Sequence, residues 1–106
     1  VYGSYHYLIG SNGEIEPLVP DSLIAYHTPQ VNRTSIGIGV MHVSNGLTGY
    51  NEKQIAALEI LLARLSKKYT IAAKDINGKN HYNQRKRCDF DLVKAKIMAA
   101  VQEKNL

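Results

Sequence analysis

The sequence predicts an α/β (α+β) domain, a mixed β-sheet flanked by helices. Three observations predict it. A β-rich stretch with a turn signal opens the chain. A second β-rich stretch, broken by glycines, lies between residues 35 and 43. A long amphipathic segment then runs from Asn51 to Tyr69, and a shorter one follows near the end. Strand and helix patterns that alternate in this way fold as helices packed on a sheet.

The elements follow in order. Tyr5-His6-Tyr7-Leu8-Ile9 is rich in β-formers, Gly10-Ser11-Asn12-Gly13 is a turn, and Glu14 to Val19 alternates again. This pattern is a hairpin. Pro17 places the second strand at an edge or ends it early, because proline cannot donate to a ladder. Residues 20–34 read as loop, with Pro20, Pro29 and Asn32. Ser35 to Val43 is a strand in which Gly37 and Gly39 mark a close approach by another group. His42, which continues the alternation of Ile36, Ile38 and Val40, reads as a core or sheet-end residue.

Asn51 caps the main helix, with Gln54 three residues on completing a capping box. Ile55, Leu58, Leu62 and Leu65 form its apolar stripe, widened by Ile60 and Leu61. Lys67 and Lys68 suit the negative end of the helix dipole. Thr70-Ile71-Ala72-Ala73 reads as a short buried strand. Asp91 caps a last helix whose apolar face is Leu92, Ile97, Met98 and Val101.

Composition bounds the function. A chain of 106 residues that is 44% hydrophobic supports one domain with a real core. No apolar run is long enough to span a membrane. One cysteine excludes an internal disulfide framework. The net charge of +4 is uneven: Lys79, Arg85, Lys86 and Arg87 crowd into nine residues. Such a cluster suits phosphates or an anionic cell-wall polymer, or is a solvated surface loop. No recognition helix or aromatic-interleaved basic sheet accompanies it, so no nucleic acid partner is expected.

Cys88 stands seven residues after His81, with Lys86 between them. Its neighbours are basic and favour the thiolate. A thiolate and an imidazole at this spacing can be two ligands of a zinc ion, and a solvated basic loop is the other reading.

Several segments carry a family likeness when taken together. They are Ser4-Tyr5-His6-Tyr7-Leu8-Ile9 with Asn12-Gly13, Ala25-Tyr26-His27-Thr28, and Asn32-Arg33-Thr34-Ser35-Ile36-Gly37-Ile38. The helix from Asn51, His81 with Lys86-Arg87-Cys88, and Phe90-Asp91-Leu92 complete the set. In this order they resemble the zinc-dependent N-acetylmuramoyl-L-alanine amidases, a family that includes phage lysozyme-like amidases and peptidoglycan recognition proteins. The resemblance implies a Zn2+ ion held by His81 and Cys88. It also implies a water positioned or deprotonated by Tyr5, an oxyanion stabilised by Lys86, and a substrate cleft lined by His27. The implied reaction is hydrolysis of the amide between N-acetylmuramic acid and L-alanine in peptidoglycan. A non-catalytic peptidoglycan-binding module is the alternative.

The family's first zinc ligand is a histidine on an N-terminal strand. That strand and the helix after it have no counterpart here. Residues 1–106 are therefore expected to be a single amidase-like domain, N-terminally incomplete, with the missing strand removed, disordered, or supplied by another chain or segment. His6 does not replace that ligand. If Tyr5 faces the cleft, His6 faces away from it and reads as a hydrogen-bonded structural residue. Asn80, Asn83 and Asp89 stand where the family often has glycine, an acidic residue and proline. A protein of this kind acts on the bacterial cell wall. It stays cytoplasmic until lysis if it is phage-like, and is otherwise periplasmic or secreted.

Overall fold

In a computed structural model, the structure describes residues 5–23, 35–41, 50–78 and 90–105, the side chain of Leu92 excepted. The β-formers at the start of the chain make the expected hairpin. Strand β1 (Tyr7–Ile9) pairs antiparallel with β2 (Ile15–Pro17), setting Ile9 against Ile15 and Tyr7 against Pro17. The reversal needs Gly13, whose φ is 83° and whose amide donates to the Gly10 carbonyl at 3.0 Å. Gly10 in turn donates to Glu14 at 2.9 Å, the bonding of a short hairpin loop closed by a left-handed glycine. A Cβ at Gly13 would also fall 2.6 Å from the Lys53 carbonyl oxygen, so the helix crosses this turn too closely for any side chain.

Strand β3 (Ile38–Val40) pairs parallel with β1, which makes the described sheet mixed, in the order β2-β1-β3. Proline 17 is the last paired residue of β2, an edge strand within this sheet. Both expectations for Pro17 thus hold, because an edge strand can spare an N–H. The regular part of β3 is shorter than the sequence pattern, and residues 42–43 lie outside the described residues, as does His42.

Helix α1 (Glu52–Tyr69) starts at its capping box. Asn51 Oδ1 accepts from the Gln54 amide at 2.9 Å, and Gln54 Oε1 accepts from the Asn51 amide at 3.2 Å. Leu58, Leu61, Leu62 and Leu65 are buried, Ile55 is partly so, and Ile60 is 47% exposed. Ile60 is therefore not part of the apolar face. The stripe is centred on Leu58, Leu61 and Leu65, and Ile60 lies one residue around the helix from Leu61, on the solvent side.

The strand expected over residues 70–73 does not form. Thr70 takes a left-handed conformation at φ 54°, and Ile71 donates to Ser66 at 3.0 Å. A 3₁₀ turn, Ala73–Asp75, follows, with Ala72 and Ala73 exposed. The helix cap uses the backbone bonds that a strand would need.

Helix α2 (Phe90–Lys104) begins two residues earlier than a cap at Asp91 would place it, so Asp91 lies in its first turn rather than at its cap. There its charge still suits the positive end of the helix dipole. Phe90, Val93, Ile97 and Val101 are buried against α1, and Met98 is partly buried. The expectation for Leu92 lies outside the described side chains. The core is one cluster that holds Ile9 of the sheet together with residues of both helices. No helix among the described residues is long and apolar enough to cross a membrane.

Candidate active site and a tyrosine–aspartate pocket

Two places at or just before β1 carry chemistry. The first is its entry. The Tyr5 ring lies across Gly39 of β3, where an added Cβ would stand 2.9 Å from the ring. The close approach anticipated at this glycine is therefore made by an aromatic side chain. Next to it, His6 is 1% exposed. Its Nδ1 accepts from the Gly37 amide at 3.0 Å, so Nε2 carries the proton and donates to the Leu23 carbonyl at 2.7 Å. Both ring nitrogens of His6 thus serve the backbone, and neither is left for a metal.

The structural role foreseen for His6 is found, but strand alternation is not its cause. His6 and Tyr7 both donate to the single carbonyl of Gly37, at 2.8 and 3.2 Å. His6 precedes Tyr7, the first paired residue of β1, so the alternation of a paired strand does not govern it. Among the described residues, no group of three or more His, Cys, Asp or Glu side chains could hold a metal ion. His27, His81, Lys86 and Cys88 lie outside the described residues.

The second place is a pocket of about 560 Å³ between β1, the chain after β2 and the end of α1. Tyr7, Asp21, Ser22, Lys68 and Tyr69 line it, with residues 17–20 completing its wall. At its centre Asp21 accepts two phenol protons, from Tyr7 at 2.6 Å and from Tyr69 at 2.7 Å. The Lys68 ammonium stands 3.7 Å from the same carboxylate and 5.2 Å from the centre of the Tyr69 ring.

This arrangement fixes protonation. The hydrogen bond to Asp21, then burial, then the charge of Asp21 push the Tyr7 phenol up to about 12. Burial pushes the Asp21 carboxyl up. The hydrogen bonds from Tyr7 and Tyr69 and the charge of Lys68 outweigh it and hold the group below its ordinary value. Across the neutral range Asp21 is ionised and the Tyr7 phenol keeps its proton. The Lys68–Asp21 pair itself contributes little, because the lysine side chain is 61% exposed.

Sequence reasoning missed this second place. Tyr7, Asp21 and Tyr69 are 14 and 48 residues apart in sequence. Pro20-Asp21-Ser22 carries only a loop signal, so nothing in the string couples it to the end of α1.

A family model for N-acetylmuramoyl-L-alanine amidase matches residues 1–90. That span holds both strands of the hairpin, β3, α1 and every residue named above for the chemistry. Comparison with curated proteins and with solved structures gave no match.

Proposed function

Because the chain belongs to the N-acetylmuramoyl-L-alanine amidase family, we propose that it hydrolyses the amide joining the lactyl group of N-acetylmuramic acid to L-alanine in peptidoglycan. The observation that carries this reading is the match over residues 1–90, together with the Tyr5 ring seated across Gly39. In the reaction, water adds to the lactyl carbonyl carbon, the carbon–nitrogen bond breaks, and the alanine nitrogen leaves as an amine with the proton it gains.

Each residue has a role in this proposal. His81 and Cys88 would hold a zinc ion as imidazole and thiolate. The metal, when bound, supplies a water of lowered pKa and polarises the carbonyl. Tyr5 orients that water through its phenol or takes its proton. Lys86 places a cation at the oxyanion that develops on the former carbonyl oxygen. His27 lines the cleft that receives the muropeptide. His6 has no part in holding the ion, since both its ring nitrogens are committed to Gly37 and Leu23.

That commitment of His6 favours one second reading, a peptidoglycan-binding module without turnover. Mass analysis of muropeptides released from purified peptidoglycan, alongside elemental analysis of the chain, separates the two. Release of free stem peptides with stoichiometric zinc, both lost in Cys88→Ser, supports the amidase. Retention of peptidoglycan without release, by a zinc-free chain, supports the module.

A further inference from the structure

We propose that the pocket formed by Tyr7, Asp21, Ser22, Lys68 and Tyr69 binds a neutral saccharide unit, an N-acetylhexosamine of the glycan strand. The inference rests on the peptidoglycan reading above, and adds to it a site built from other residues.

Three features select this ligand class. The first is charge. Asp21 and Lys68 stand 3.7 Å apart and offset one another, so neither a cation nor an anion is called for. The carboxylate is further occupied by two phenol donors. A ligand that gains from this site is polar but uncharged.

The second feature is the lone-pair supply. Each phenol donates its proton to Asp21, so its oxygen turns accepting lone pairs outward. The Tyr7 phenol holds its proton up to about pH 12, which keeps this polarity in place. Sugar hydroxyls and an acetamido N–H are donors that match it. Lys68 and the Ser22 hydroxyl supply donors in return.

The third feature is shape. Pro17, Leu18 and Pro20 give an apolar wall, and Tyr69, 43% exposed, stands beside them. A pyranose has one apolar C–H face and a rim of hydroxyls. Tyrosine offers the same two surfaces, an apolar body and a polar tip. The pocket volume of about 560 Å³ lies within the range usual for small-molecule sites. Tyr5 does not line this pocket, so the two places at or just before β1 are separate surfaces.

The test uses the full chain and chitotetraose, an N-acetylglucosamine oligomer with no lactyl–alanine amide to cleave. Titration is followed by backbone amide shifts and by calorimetry, in the parent, Tyr69→Ala and Cys88→Ser. The expected result is saturable shifts at Leu18, Ser22, Lys68 and Tyr69, and affinity about tenfold lower in Tyr69→Ala. Cys88→Ser should bind like the parent, because the site needs no metal. No binding at millimolar oligosaccharide, or shifts confined to other parts of the chain, overturns the proposal. So does unchanged affinity in a folded Tyr69→Ala. If Tyr69→Ala is not folded, the location of shifts in the parent decides alone. Saccharide binding without amide hydrolysis would overturn the amidase reading and leave this one standing, and the reverse result would do the opposite.

Discussion

At the scale of single residues, the informative feature is how completely the side chains at the entry to β1 are committed. His6 reads, in the sequence, as a hydrogen-bonded structural residue rather than a metal ligand. In the structure it is a backbone clamp that joins Gly37 to Leu23. Replacing it by alanine leaves a buried N–H and a carbonyl without that partner, at about 1–3 kcal/mol for each group left unsatisfied. Urea unfolding of His6→Ala should therefore show a loss of at least about 1 kcal/mol. Zinc content should not change, and a parallel loss of zinc would assign the residue to the metal after all. Gly39 is a second such commitment. Alanine there places a methyl 2.9 Å from the Tyr5 ring, and the ring must move. If Tyr5 acts on the water, Gly39→Ala should lower kcat severalfold while KM stays near the parent value, because a small misplacement of a catalytic group acts on the barrier.

Tyr7 and Asp21 give the pH dependence of folding. The Asp21 carboxyl sits below its unfolded value, so its stabilisation is present above about pH 4 and is lost as pH falls through the folded value. The Tyr7 phenol is raised, so its stabilisation is complete below about pH 10 and is lost as pH rises towards 12. Stability of the parent should then be flat from pH 5 to 9 with respect to this pair and decline at both ends. Denaturant midpoints of Tyr7→Phe should lack the part of the alkaline decline that this phenol causes. An identical alkaline limb in the mutant would show that other groups produce it.

At the scale of elements, α1 is the organiser. Its first turn is tied to the sheet by Gln54, a side chain only 1% exposed. Gln54 Nε2 donates to the Met41 carbonyl at 2.7 Å and to Gly10 at 3.2 Å, at the ends of β3 and β1. One amide therefore caps the helix and sets it against two strands. Its replacement by glutamate, which has no amide protons to give, should cost on the order of 2–3 kcal/mol. Further along, Leu58 is 4% exposed, and Leu58→Ala should cost about 2–5 kcal/mol. Ile60, on the solvent side, should tolerate alanine within about 0.5 kcal/mol. Equal losses at Leu58 and Ile60 would mean that the buried face has been misjudged.

These two residues show how far the string could be read. Both are large, aliphatic and helical, and both fit an apolar stripe if the stripe is drawn wide. Periodicity placed Leu58, Leu62 and Leu65 correctly because they repeat at three and four residues. It could not separate Ile60 from Leu61, because the width of the stripe depends on what packs against it. The strand misread at residues 70–73 has a similar origin. β-formers end α1, but the left-handed Thr70 and the bond from Ile71 back to Ser66 close the helix instead.

At the scale of the whole molecule, function rests on residues 1–90 belonging to one amidase family. Lys86 separates catalysis from binding. In an active amidase, Lys86→Ala should lower turnover by ~10²–10³ while muropeptide affinity changes little, since a cation at an oxyanion acts mainly in the transition state. Turnover of Lys86→Ala within about threefold of the parent would remove the role proposed for it. A chain that only binds would instead lose affinity modestly, and in a manner that salt screens.

The sequence by itself determined the hairpin, the capped helix α1, the mixed sheet and the family. Each of these is written in short-range signals: turn glycines, a capping box, helical periodicity and ordered motifs. Tertiary structure alone decided two matters. One is that His6 gives both nitrogens to backbone groups 17 and 31 residues away. The other is that Tyr7, Asp21 and Tyr69 converge on one pocket. Local pattern records a residue's neighbours in the chain, whereas a hydrogen bond depends on where the folded backbone carries distant groups. No spacing rule could have joined β1, the loop at Asp21 and the last turn of α1 before α1 was packed on the sheet.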